Sequence, residues 1–193
     1  LAEMYAISRE DQDLLALRSQ QKAAAARQSG RLAMEIAPVS VPHGKKPPII
    51  VSEDEFIKPD TTLEALAQLR PAFRPQGSVT AGNASGLNDG AAAVLVASED
   101  TVQKYGLAPK ARIVASAVSG VEPRIMGIGP VSASAKALKK AGLHLADMDH
   151  IEINEAFAAQ VLACTRLMGL SDDDPRINPN GGAIAIGHPL GMS

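Results

Sequence analysis

The pattern of apolar and polar residues in the first third of the chain predicts one long helix, followed by short extended segments. Ser8 and Asp11 form a capping pair before an Ala-, Leu- and Gln-rich run. Ser29-Gly30 then stops that run, so the pattern predicts a helix over residues 9–28. Residues 36–51 contain four prolines and short β-branched runs, which predict edge strands or extended loop.

A second helix is predicted further along. Thr61 and Glu64 have the spacing of a capping box and indicate a short helix that ends before Pro71. The first 77 residues therefore predict a separate, mostly helical insertion.

The pattern changes after a polar, glycine-rich turn region over residues 78–90. Apolar runs predict buried strands, and amphipathic runs that end at glycine predict helices. The strands are expected over residues 93–97, 112–118, 151–153 and 183–186, and the helices over residues 98–105, 132–141 and 156–168. This βαβαβαβ order predicts a layered α/β domain.

Composition and charge narrow the class of protein. Hydrophobic residues make up 46% of the chain and charged residues 21%, as in ordinary globular proteins. A net charge of -2 gives no overall attraction to nucleic acid or to an anionic membrane, and no run spans a bilayer. A single cysteine fits a reducing compartment, so we expect a cytoplasmic protein. Organellar targeting stays open, because Leu1-Ala2-Glu3-Met4 resembles mid-protein sequence.

His188 is the first candidate for chemistry. It lies between Gly187 and Pro189 in a glycine-rich apolar segment, a rigid setting suited to proton transfer or to oxyanion stabilisation. A histidine buried for packing reasons is the alternative. The four histidines have no metal-ligand spacing, and we expect no metal. Gly127-x-Gly129 lacks the third glycine of a dinucleotide fingerprint.

Four other residues have both a functional and a structural interpretation. Cys164 shares one helix face with apolar residues, which indicates a buried structural thiol rather than a nucleophile. Asn154 precedes a predicted helix and has the residue type of a cap. Ser85 has the residue type of a turn, and Lys58 that of a solvated surface charge.

Four motifs carry a resemblance to a known family. They are the segment Asn154-Glu155-Ala156-Phe157-Ala158, the glycine-rich run over residues 181–191, the run over residues 80–90, and Met126-Gly127-Ile128-Gly129-Pro130. In order and spacing they resemble the motifs of the thiolases over nearly the whole chain. Residues 59–66 and 171–174 look most similar to degradative 3-oxoacyl-CoA and β-ketoadipyl-CoA thiolases.

The resemblance implies a reversible exchange in which 3-oxoacyl-CoA and CoA give a shortened acyl-CoA and acetyl-CoA. A nucleophilic cysteine of the family takes the acyl group. The histidine matching His188 activates that thiol and stabilises the thioester oxyanion, and the asparagine matching Asn154 holds a water that completes the oxyanion site. CoA and acyl-CoA are then substrates, with no permanently bound cofactor.

The resemblance also implies a CoA site. Ser85 lies at the pantetheine arm, and Met126, Ala156 and Phe157 line its apolar wall. Lys58 matches a basic residue near the nucleotide, with Leu66 and Phe73 beside the adenine. Ala81 belongs to the same site.

Three family residues, of which the two cysteines are catalytic, have no counterpart in this chain. They are the upstream nucleophilic cysteine, the downstream cysteine of a Cys-x-Gly motif, and a histidine expected just before Leu1. We therefore expect a piece of a larger protein that is inactive alone. Residues 1–86 correspond to a partial CoA-binding loop domain inserted in a partial α-β-α core. Residues 87–108 correspond to the tail of the N-terminal core domain and residues 109–193 to a truncated C-terminal core domain.

Alternatives remain at this stage. The intact protein is expected to be a homodimer or homotetramer. A non-catalytic CoA-binding relative and a biosynthetic acetoacetyl-CoA thiolase both fit the same motifs. A 3-oxoacyl carrier-protein synthase is disfavoured, because such enzymes pair two histidines with the cysteine.

Overall fold

The computed structural model describes residues 1–191. Six α-helices and one two-stranded sheet lie within them. They are α1 (Arg9–Gln28), β1 (Val39–His43), β2 (Lys46–Val51), α2 (Leu63–Ala67), α3 (Glu99–Tyr105), α4 (Gly129–Ala141), α5 (Ala158–Leu167) and α6 (Ala183–Ile186). Short 3-10 turns occupy Leu32–Met34, Pro123–Ile128 and Leu145–Asp147. None of the helices described is long and apolar enough to cross a membrane.

Helix α1 confirms the prediction from its capping signals. The Ser8 hydroxyl accepts from the Asp11 N–H, and the Asp11 carboxylate accepts from the Ser8 N–H. This capping box satisfies donors that the first turn leaves free. At the other end the Ser29 N–H donates to the Ala25 carbonyl, and Gly30 follows with a φ of 77°.

The main core joins helix α1 to the second half of the chain. Leu15 and Ala16 of α1 pack in one buried cluster with Val161 and Leu162 of α5 and Ile184 of α6. A second cluster contains Ala23 and Ala26 of α1, Leu32, Ile57 and Ala185. Small side chains on α1 allow this close approach of helices. Helix α1 therefore supports the segments that surround His188, instead of belonging only to a separate insertion.

The hairpin of β1 and β2 matches the predicted edge strands. The strands pair antiparallel with Val39 opposite Val51, and all their residues are exposed. Helix α2 begins one residue later than the capping box predicted. Thr62 is its N-cap and its side chain accepts from the Ala65 N–H.

The strands predicted over residues 93–97 and 112–118 are wrong for the described chain, in which neither run has regular structure. Most of their side chains are exposed, with Val94 88% and Ile113 73% accessible. A strand needs a partner for its N–H and C=O groups. No segment of residues 1–191 pairs with either run. Apolar and β-branched residues favour a strand, but they do not determine whether a second strand is present to pair with it.

Two other predicted strands also differ. Only Ile151 of residues 151–153 forms a bridge, parallel to Ile177. Residues 183–186 are helix α6. Short apolar runs do not distinguish strand from helix. Here the Gly182 carbonyl accepts from the Ala185 and Ile186 N–H groups and closes a helical turn.

The three predicted later helices are confirmed with shifted ends. Helix α3 has Ser98 as its N-cap and Gly106 in the left-handed conformation after it. Helix α4 begins at Gly129, three residues before the prediction, with Pro130 in its first turn where a missing N–H is harmless. Helix α5 spans Ala158–Leu167 inside the predicted limits.

Candidate functional site

Asn154 and His188, which lie far apart in sequence, meet in the structure. The Asn154 side-chain nitrogen lies 3.1 Å from Nε2 of His188 and 3.4 Å from Nδ1. An amide N–H only donates, so the nearer ring nitrogen must carry no proton when it accepts this bond. Asn154 is exposed and His188 is half-buried. The pair therefore places an unprotonated ring nitrogen and a side-chain amide in contact, on two residues that solvent reaches.

The turn that holds His188 depends on glycine. Gly187 has a φ of +100°, a conformation that side chains rarely adopt. A Cβ atom at Gly187 would also collide with the Asn88 side chain. The His188 N–H then donates to the Gly86 carbonyl over 3.2 Å. The backbone of His188 is thus tied to the glycine-rich loop that the sequence singled out separately.

The loop that contains Ser85 runs beside the Asn154 motif. The Ser85 N–H and hydroxyl both donate to the Ala156 carbonyl, over 3.1 Å and 3.2 Å. The Ala158 N–H donates to the Asn83 carbonyl, and Ala84 forms an antiparallel bridge with Phe157. Three of the four sequence motifs therefore meet at one place, around His188.

An open cavity of about 1140 Å³ lies next to this junction. Phe157 and Phe73 line it, with ring centroids 6.3 Å apart in an edge-to-face arrangement. The cavity walls also come from residues 1–4, 6–8, 74, 76–79 and 124–125. Met126 follows that last pair and is 76% exposed. A cavity of this size with aromatic and aliphatic walls suits an elongated organic ligand.

The remaining predicted ligand residues are placed differently from one another. Lys58 is exposed, and its Nζ lies 4.9 Å from the ring centroid of Phe56. Phe56 in turn lies against Gly86, so Lys58 is linked to the loop of Ser85. Ala81 is exposed. Leu66 is only 5% exposed and packs in the main core, so its side chain supports the fold and offers no ligand surface.

A buried polar network below the pair was missed from the sequence. The Glu155 carboxylate is 3% exposed and accepts from the Ser19 hydroxyl, the Asn178 side-chain amide and the Ile184 N–H, over 2.6, 2.9 and 3.1 Å. Burial raises the pKa of Glu155, and these hydrogen bonds oppose that effect. The sequence feature that could have indicated this network is an acidic residue close to the apolar residues Ile153 and Ala156.

Cys164 is buried, as its helical spacing predicted. Its Sγ donates to the Gly127 carbonyl over 3.1 Å. Burial raises the pKa of the thiol, so the reactive thiolate is disfavoured. Cys164 therefore packs helix α5 against the loop over residues 126–128 and does not meet His188.

Two family descriptions match this chain. The description "Thiolase, N-terminal domain" matches residues 1–100, and "Thiolase, C-terminal domain" matches residues 107–193. A β-ketoadipyl-CoA thiolase of Acinetobacter baylyi is 58% identical over all 193 residues, which cover 48% of that protein. An acetyl-CoA acetyltransferase of Thiocystis violacea is 56% identical with the same coverage.

Solved structures give the same result for the fold. The acetyl-CoA acetyltransferase of Bacillus anthracis superposes with a TM-score of 0.95 at 48% identity, over 99% of this chain and 48% of that one. Human mitochondrial 3-ketoacyl-CoA thiolase in complex with CoA superposes with a TM-score of 0.91 at 53% identity, over 98% of this chain and 46% of that one. The chain spans about half the length of the curated relatives it matches. Both family descriptions together cover nearly every residue, and the chain therefore belongs to the thiolase family.

Proposed function

We propose that this chain is part of a thiolase that transfers an acyl group between 3-oxoacyl-CoA and CoA, with acetyl-CoA as a product. The observation that carries the proposal is the contact of Asn154 with the imidazole of His188, in a motif whose Phe157 lines an apolar cavity. The β-ketoadipyl-CoA thiolases among its relatives favour a degradative enzyme acting on a 3-oxoacyl-CoA of an aromatic-degradation route. A biosynthetic acetoacetyl-CoA thiolase is the second candidate, favoured by the acetyl-CoA acetyltransferases it resembles.

His188 acts as the base in this proposal. An acyl thioester forms only when a thiol loses its proton, and a ring nitrogen without a proton is the group that takes it. The protonated imidazole then donates toward the oxygen on which negative charge develops. Asn154 lies beside the same ring and holds the water that donates to that oxygen. The thiol in question belongs to a family cysteine and not to the buried Cys164.

CoA is proposed to enter through the cavity beside Phe157. Ser85 lies at the pantetheine arm, Met126, Ala156 and Phe157 line its apolar wall, and Phe73 lies beside the adenine. Lys58 supplies positive charge for the nucleotide phosphates, as an exposed ammonium can without desolvation. Ala81 borders the same path. CoA is a substrate here, and no permanent cofactor is required.

The organisation of the whole protein is also part of the proposal. Residues 1–86 form the loop domain that covers CoA, residues 87–108 end the N-terminal core domain, and residues 109–193 begin the C-terminal core domain. The intact protein is a cytoplasmic homodimer or homotetramer without nucleic-acid or membrane partners.

The test is an assay of an intact thiolase that carries these 193 residues. Cleavage of 3-oxoadipyl-CoA and of acetoacetyl-CoA by CoA is measured under the same conditions, and we expect a higher kcat/KM for 3-oxoadipyl-CoA. A preference for acetoacetyl-CoA supports the second candidate. CoA binding without cleavage of either substrate overturns the catalytic proposal and identifies a non-catalytic CoA-binding relative.

A further inference from the structure

We propose that Glu155 is a positioning residue that sets the distance between Asn154 and His188. The inference rests on the proposed function, and it concerns a side chain that is 3% exposed and touches no substrate site directly. Its basis is the hydrogen-bond network that joins both members of the catalytic pair to one carboxylate.

The first link runs through the backbone of the Asn154 motif. Asn154 and Glu155 are neighbours in the segment before helix α5, in which Asn154 is exposed and Ile153 and Glu155 are buried. Asn154 therefore lies on the exposed side, toward His188, while Glu155 lies on the buried side. The hydrogen bonds of the Glu155 carboxylate fix the position of this backbone segment, and they thereby fix the position of the Asn154 side-chain amide.

The second link runs to the His188 turn. Glu155 Oε2 accepts from the Ile184 N–H at the start of helix α6, over 3.1 Å. The Ser19 hydroxyl donates to the same oxygen and accepts from the Gly182 N–H over 3.1 Å. Helix α6 leads directly into Gly187 and His188. The carboxylate thus holds the segment that precedes the histidine.

The third link removes the freedom of the partner amide. Asn178 donates to Glu155 Oε1, and its amide also exchanges two 2.8 Å hydrogen bonds with the Ile153 backbone. Those backbone bonds fix which end of the Asn178 amide faces Glu155. All three groups around Glu155 are then donors, and a carboxylate is the side chain that accepts from all of them.

This arrangement predicts a specific defect for Glu155→Gln. Glutamine keeps the size but turns one acceptor oxygen into a donor, so at least one of the three bonds becomes a donor–donor contact. The shift in the His188 turn is expected to lower kcat by about tenfold or more, because misplacements near 1 Å cost up to about a hundredfold. KM for CoA is expected to stay within about twofold, since Ser85 and Phe157 are not part of the network.

The experiment uses the intact thiolase and compares three variants. Thr165→Val is the matched control, because Thr165 is equally buried in helix α5 and its hydroxyl donates only to the Leu162 carbonyl of its own helix. Ser19→Ala removes one donor to Glu155 and serves if Glu155→Gln does not fold. Turnover is expressed per folded protein, and melting temperatures are recorded for all variants.

The result expected is a kcat defect in Glu155→Gln, and a smaller one in Ser19→Ala, with Thr165→Val close to the unaltered enzyme. Unchanged kcat in Glu155→Gln, or in Ser19→Ala where the first variant does not fold, overturns the inference. The inference is also overturned if kcat falls in proportion to the decrease in melting temperature in all three variants, Thr165→Val included, because the effect is then one of general stability. An unaltered intact enzyme with no thiolysis overturns the proposed function instead.

Discussion

The side-chain nitrogen of Asn154 lies 3.1 Å from Nε2 of His188, although 33 residues of chain separate the two. Neither residue is fixed by its own side-chain contacts alone. The His188 N–H donates to the Gly86 carbonyl. The segment of Asn154 accepts a hydrogen bond from the loop of Ser85, and its Glu155 side chain accepts from the Ile184 N–H. The contact is therefore a product of tertiary packing, and single substitutions can separate the roles of Asn154 and His188.

His188→Ala is expected to lower kcat of the intact thiolase by about a hundredfold or more, since the variant lacks a general base. The affinity for CoA should change little, because the cavity beside Phe157 is not lined by the imidazole. Single-turnover acylation and CoA binding by calorimetry measure the two effects. Near-normal turnover would remove His188 from the mechanism, and His144→Ala, at an exposed position in the described chain, is the control.

Asn154→Ala is expected to slow turnover by about a hundredfold, the lower end of the range for loss of an oxyanion donor. Steady-state kcat and the affinity for CoA are measured for the variant and for the unaltered enzyme. A variant that only weakens CoA affinity would contradict this prediction and assign Asn154 to the shape of the pocket.

The sequence predicted helices better than strands, for a physical reason. Helix α1 carries its own capping box and stop signal, and its bonds are local. Residues 93–97 are equally apolar, but a strand depends on a partner elsewhere, which composition cannot supply. The run Ala183–Ile186 became a helix, because four apolar residues carry too short a pattern to distinguish the two.

The candidate site was partly predictable for a similar reason. His188 lies in an unusual local setting, and Asn154 lies in a motif that resembles one of a known family. Their contact is found in the structure. The network of Glu155 with Ser19 and Asn178 was missed, since it joins three distant segments. Leu66 was assigned to a ligand surface, but it faces the core, and burial depends on packing that residue type alone does not determine.

Gly182→Ala is expected to destabilise the protein and to lower activity together. A Cβ atom at this position would collide with the carboxyl group of Glu155, and overpacking of a core typically costs about 1–3 kcal/mol. Gly120→Ala is the matched control, because nothing lies within 4 Å of a Cβ atom there and its φ is ordinary. Urea unfolding of both variants gives the comparison. Equal stability of the two would show that the Glu155 network tolerates displacement.

The ion pair of Asp174 and Arg176 is expected to contribute to stability in a pH-dependent way. A hydrogen bond from the Arg176 side chain lowers the pKa of Asp174 from 3.8 to about 2. A carboxyl group with a lowered folded-state pKa stabilises the protein above pH 3.8, and that contribution is lost as the pH falls through about 2. Asp174→Asn should therefore lower the melting temperature at pH 6 and have a shrinking effect below pH 4. A difference independent of pH would contradict this.

Cys164→Ser is expected to leave thiolysis by the intact enzyme unchanged, and the 193-residue chain alone is expected to have no thiolase activity. The thiol is buried, burial raises its pKa, and its hydrogen donates to the Gly127 carbonyl, so it offers no thiolate to His188. Exposed apolar residues such as Val94 and Val118 should also make the chain aggregate. Assays with acetoacetyl-CoA and a thermal melt check both statements. Turnover by the chain alone that disappears in Cys164→Ser would make this cysteine the nucleophile.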